Sequence, residues 1–170
     1  MGSGVFWMSG ILAGVAALLS QFGTYIAIGG VKPDLLLILL VFYANSEGPL
    51  RAQTSGIVGG IVEDLMSLSP FGFHLLLRTT LAFIFGQSRN KIFLDPLVMP
   101  ALMVLAATLV KGLLALTAGA LFRIESVTTY ILSTSFLIEI GYNALLGPLL
   151  FLFYGFLKRL VGTKGIRVVG

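Results

Sequence analysis

Residues 96–122 read PLVMPALMVLAATLVKGLLALTAGALF and carry a single charge, Lys111. A helix of this composition has no polar face to turn toward water. A bilayer accepts it, because a hydrocarbon core of about 30 Å is crossed by roughly 20 apolar residues. The rest of the chain is similar. It is 57% hydrophobic and only 11% charged, where a soluble domain carries about 25% charge. Lipid is therefore the expected solvent. The expected fold is an all-α membrane protein, with about six transmembrane helices in one polytopic domain over residues 1–170.

Proline divides the chain. At the first helical position its missing N–H costs nothing, which predicts helix starts at "KPD" 32–34, "GPL" 48–50, "SPF" 69–71 and "DPL" 95–97. Ser69 and Asp95 are the expected N-caps before their prolines. The resulting apolar segments are 5–29, 33–45, 49–68, 70–88, 96–122 and 131–157, with the polar stretch "RIESVTT" at 123–129 as a loop. The segment at 33–45 is short for a span. It must tilt little, thin the bilayer or be shielded by neighbours. Gly147-Pro148 predicts a kink in the last helix.

Basic residues orient the chain. With the N-terminus inside, Arg51, Arg89, Lys91, Lys158, Arg159, Lys164 and Arg167 are cytoplasmic, and only Lys32 and Arg123 lie outside. That asymmetry predicts both termini in the cytoplasm. The net charge of +4 is then loop charge rather than a nucleic-acid surface, and the tail at 158–167 meets anionic lipid heads. The start lacks the basic region of a signal peptide, and Phe6 stands where myristoylation needs Ser or Thr. There is no cysteine, which excludes disulfides, thiolate metal sites and cysteine catalysis.

The unexpected residues are charged ones inside apolar segments. Glu63 and Asp64 are adjacent near the end of a glycine-lined helix. Gly56, Gly60 and Asp64 fall on one stripe with Ala52, and Ser55, Gly59 and Glu63 on the next. Small residues at this spacing let another helix approach closely. The two carboxylates diverge by about 100° around the helix, so they are not a shared-proton dyad. His74 and Arg78 share a face of the following helix. Lys111, Glu139 and Asn143 are the other intramembrane polar groups. The plain reading is an interhelical ion-pair and hydrogen-bond network; a proton relay, a pocket or a partner-binding face are the alternatives. On the glycine stripe, Asp64 is favoured over Glu63 as the contact. Pro70 is expected to separate both acids, and Ser67, from His74. Two small-residue pairs, Gly10/Gly14 and Ala13/Ala17, mark the first helix.

Enzyme signatures do not appear. There is no G-x-x-x-x-G-K-[ST] phosphate loop, and a lone histidine excludes H-E-x-x-H zinc chemistry. No inverted repeat of the kind that builds secondary transporters is evident.

The order of these marks resembles a known family. "KPDLLLILLVFYA" at 32–44 followed by "GPLRAQTSGIVGGIVEDLMSLSPFGFHLL" at 48–76 is similar to the bacterial rod-shape-determining MreD family, through Pro33, Asp34, Gly56, Gly60, Asp64, Pro70 and Gly72. The resemblance implies a non-enzymatic scaffold of the inner membrane, without cofactor or metal. Its partners would be an MreC-like bitopic protein and, indirectly, an actin-like filament protein and peptidoglycan synthases. The family in turn resembles the S components of energy-coupling-factor transporters, which leaves a vitamin-binding uptake subunit as the second expectation. Short outer loops favour the scaffold. Tyr25, Phe71 and Phe73 are the candidates to line an outer pocket.

Overall fold

The computed structural model describes residues 27–89 and 97–160. Among them are six helices: α1 Leu35–Glu47, α2 Pro49–Met66, α3 Phe73–Gly86, α4 Val98–Phe122, α5 Glu125–Ile131 and α6 Thr134–Leu160. No strand occurs among the described residues beyond an isolated bridge between Ile28 and Val31. The segment at 5–29, with its two small-residue pairs, lies almost wholly outside these residues, as do Asp95, Pro96 and the tail beyond residue 160.

α1 is the core. Every residue from Leu35 to Asn45 is buried, packed among α2, α3, α4 and α6. Its sequence explains this, because a helix apolar on all faces has no side to give to water. Thirteen residues extend only about 20 Å, well short of the hydrocarbon thickness. Burial among neighbours is how so short a helix is accommodated. Among the described residues two helices, Val98–Phe122 and Thr134–Phe156, are long and apolar enough to cross a membrane.

Several boundaries differ from the sequence expectation. Pro49 is the first residue of α2, as the rule requires. Pro33 is not the start of α1; Asp34 is the N-cap, and its Oδ1 accepts the Leu37 amide at 2.9 Å. Nor does α3 start at Ser69-Pro70. The chain makes a turn there, and Gly72, at φ 98°, precedes the helix. The stretch read as an outer loop contains α5. α4 ends at Arg123, whose φ is 55°; the Ile124 amide bonds to Gly119 O and the Arg123 amide to Ala120 O. This is a Schellman closure, with arginine where glycine is usual. It folds α5 back so that Ile124, Val127 and Ile131 pack on Phe73, Leu77, Ala115 and Ala118. α6 runs through Pro148 without a break.

α2 and α3 form the closest pair. A Cβ on Gly56 would lie 2.8 Å from Arg78 O, and one on Gly60 2.8 Å from the Leu75 amide. At the other end of the pair, a Cβ on Gly86 would lie 2.5 Å from Pro49 Cα. The glycine stripe is spent on a neighbour within the chain.

Candidate functional site: a buried ion network joining six helices

Where α1 begins, α2 ends and α3 begins, the charged side chains converge. Arg78, almost wholly buried, lies between two carboxylates. Its Nη1 and Nη2 each donate to Asp34 at 3.0 Å, and its Nε and Nη2 donate to Glu63 at 2.7 and 2.6 Å. Lys111 of α4 donates to Asp34 Oδ2 at 2.7 Å and to Glu139 Oε1 of α6. Glu139 Oε2 accepts the Tyr130 hydroxyl of α5 at 2.7 Å. Asn143 accepts the Asp34 amide at 2.8 Å, and its Nδ2 donates to Thr108 Oγ1 at 3.2 Å. Each of the six described helices thus contributes a side chain or its N-cap to one connected network.

The residue types suit the task. A planar guanidinium with five donors can grip two carboxylates with a two-pronged fork each, whereas the Lys111 ammonium gives its two carboxylates one bond apiece. Asp34 uses both oxygens three ways: to cap α1, to take the Arg78 fork and to take Lys111. Buried charges are tolerable only when paired and fully hydrogen-bonded, and that is how these are held. Asp34, Glu63 and Glu139 face Arg78 and Lys111, leaving one more carboxylate than cation. Burial and the neighbouring Glu139 carboxylate push the Tyr130 phenol above its ordinary range.

Asp64 stands apart. Its side chain is fully buried and accepts the backbone amides of Gly72 at 2.8 Å, His74 at 2.8 Å and Leu75 at 3.2 Å. These are amides at the start of α3, where no intrahelical partner exists. Asp64 therefore caps the next helix from the end of the preceding one. Its Oδ1 also lies 3.0 Å from His74 Nδ1, with Ser67 Oγ at 3.4 Å from the same nitrogen. The expectation that Pro70 separates Asp64 and Ser67 from His74 is overturned. The turn reverses the chain, so the start of α3 returns against the end of α2.

Of the residues singled out in the sequence, Arg78, Lys111, Glu139 and Asn143 meet in the network, and His74 joins Asp64 instead. Glu63 and Asp64 make separate contacts, as their divergence requires. Asp34, expected with Pro33, Gly56, Gly60, Glu63, Asp64, Pro70 and Gly72 to serve partner binding or packing, is with Glu63 a member of the ion network. Tyr130 and Thr108 were not singled out. Tyr130 lies at the end of the stretch read as a loop, and a threonine in an apolar helix gives no signal, because its hydroxyl can bond back to the helix's own carbonyls, as Thr108 does to Val104 O. Pro33 is buried next to Asp34, whereas Pro70 and Phe71 are exposed and Phe73 is buried; Tyr25 lies outside the described residues. Among the described residues no group of three His, Asp or Glu side chains is placed to hold a metal ion. A lateral groove of about 150 Å³ between α3 and α4 is lined by leucines, with Thr80 and Thr117 as its polar residues.

A sequence model of one family, described as rod shape-determining protein MreD, matches residues 1–158. The chain belongs to this family. No curated protein and no solved structure matches it. Membership ties the chain to rod-shape determination, to the bacterial membrane and to the elongation machinery of which the MreD family is part.

Proposed function

We propose that this chain is a non-enzymatic scaffold subunit of the cell-elongation complex. It lies in the bacterial cytoplasmic membrane with six spans and both termini cytoplasmic. It docks an MreC-like bitopic protein, and through it supports the actin-like filament protein and the peptidoglycan synthases. The family match over residues 1–158 carries this reading. The chemistry of the network agrees with it. The cations and carboxylates of the network bond to one another across helices, which suits a packing role. The groove between α3 and α4 has two threonines to offer a ligand, whereas a vitamin pocket needs several convergent polar groups and about 300–1,000 Å³.

The test is purification from native membranes with identification of what co-purifies. A bitopic protein of the elongation machinery is expected, and depletion of the chain should round the cells. An ATPase module carrying a bound vitamin in its place would sink the scaffold reading.

A further inference from the structure

α5 covers more than it is itself covered. Phe73, Leu77, Ala115 and Ala118 are buried beneath Ile124, Val127 and Ile131, yet no residue of α5 is buried. Its seven residues fall short of the roughly 12–15 that a helix needs to hold itself in water. Its N-cap, Ile124, offers no side-chain cap. Among the described residues, the Tyr130 hydroxyl on Glu139 is the one hydrogen bond that an α5 side chain gives to another helix. Each end of α5 is a turn. At one, Arg123 is held at φ 55° and the Ile124 amide bonds to Gly119 O. At the other, the Ser133 amide and hydroxyl both donate to Tyr130 O, at 3.0 and 2.7 Å. α4 and α6 pack directly on each other and on α1, so neither depends on α5 for its place. Few buried apolar groups and a single polar tether are the marks of a region that opens at less cost than the whole fold.

We propose that α5 is a detachable strap. It lifts from α3 and α4 as a unit, about the turns at Arg123 and Ser133, while the other described helices stay packed. Lifting lets Arg123 leave the left-handed region, which L-residues avoid, and this favours release. It bares the apolar seat at Phe73, Leu77, Ala115 and Ala118, and it frees Glu139 Oε2, the acceptor of Tyr130. The strap thereby controls whether water or another donor reaches the Glu139–Lys111 pair. In the closed state α5 itself shows what the seat accepts: aliphatic side chains on one helix face, with a hydroxyl donor beside them.

The chain has no cysteine, so a thiol can be placed beneath the strap without a competitor. Ala115→Cys puts one in the seat, where Ala115 is 4% exposed, and Ala107→Cys puts one in the core, where Ala107 is 0% exposed. In the purified protein under native conditions, N-ethylmaleimide is expected to label position 115 several-fold faster than position 107. Adding Tyr130→Phe should raise the rate at 115 about fivefold, the worth of one ordinary hydrogen bond, and leave 107 unchanged. Hydrogen exchange on the protein without added thiols is the second reading. The α5 amides should exchange faster than those of α4 and α6, and Tyr130→Phe should speed α5 alone. A Cβ on residue 119 would lie 3.4 Å from Val127 Cβ, near disulfide distance. Gly119→Cys with Val127→Cys should therefore slow α5 exchange when oxidised and release it when reduced. Equal labelling at 115 and 107, or a Tyr130→Phe effect shared by α4 and α6, would overturn the strap, because α5 would then open only with the whole bundle.

Discussion

Arg78 and Asp34 meet end-on, Nη1 to Oδ2 and Nη2 to Oδ1, each at 3.0 Å across 44 residues of sequence. Because Asp34 also caps α1, this fork fixes where the buried central helix begins relative to α3. Lys111 on the same carboxylate adds α4. A single aspartate sets the register of three helices, and the remaining charges extend the arrangement to α2 and α6.

Removing the guanidinium should be the most damaging single change. Arg78→Met leaves three buried carboxylates with one lysine, and breaking a buried pair costs about 3–5 kcal/mol. Arg78→Lys should rescue little, because one ammonium cannot reproduce both forks. Thermal unfolding in detergent and the amount retained in the membrane are the measurements. Full rescue by lysine would show that charge alone, and not the fork, matters.

Asp64 predicts a graded series. Asp64→Ala strands three amides at the start of α3, each buried unpaired group costing about 1–3 kcal/mol. Asp64→Asn retains one carbonyl acceptor and should cost less. Hydrogen exchange at the Gly72, His74 and Leu75 amides should accelerate in the same order. Unchanged protection in Asp64→Ala would mean that water or another group caps the helix.

Two glycines should behave unlike a third. Gly60→Ala and Gly86→Ala place a methyl against the backbone of Leu75 and Pro49. Such overpacking costs about 1–3 kcal/mol. Gly141 faces open space, so Gly141→Ala should be neutral or slightly stabilising, given the better helix propensity of alanine. Equal effects at the three positions would mean that the α2–α3 approach is looser than the structure shows.

The helical class and the membrane character were legible because they depend on composition and on the length of apolar runs, which are local. The polar residues were also legible as exceptions, since charge in lipid needs a reason. Their pairing was not. Whether Asp64 or Glu63 meets Arg78 depends on how the turn at Ser67–Gly72 returns the chain, and that turn uses a left-handed Gly72 rather than a cap at Ser69. Pro70 marked the break correctly but gave no indication of its direction. α5 was missed because a seven-residue helix with three Ser and Thr residues, Ser126, Thr128 and Thr129, has the composition of a loop. It is held by Tyr130 and by packing on α3 and α4, contacts that no local pattern records.

Tyr130 gives a pH prediction. Burial and then Glu139 raise its phenol above the ordinary value of 10.0, so the folded protein holds this proton more tightly than the unfolded chain. The contribution is fully present below that value and is lost as pH rises beyond it. Tyr130→Phe should cost about 1 kcal/mol near neutrality through the lost bond to Glu139. Above pH 10.0 the stability of wild type should fall toward that of the variant. Parallel stability curves for the two proteins would rule out the coupling.

Arg123 separates backbone conformation from charge. Its φ of 55° places a side chain in the left-handed region, which costs an L-residue roughly 1–2 kcal/mol. Glycine adopts that conformation freely, although it adds entropy to the unfolded chain. Arg123→Gly should therefore be neutral or stabilising by up to about 1 kcal/mol. Arg123→Val removes the same charge but puts a β-branched residue where φ is positive, a combination that ordinary structures avoid. It should destabilise the protein and loosen α5, read as faster exchange at Val127 and Thr128. Both variants lose the cation equally, so a charge effect would move them together. Only a conformational requirement at the α4–α5 reversal moves them in opposite directions.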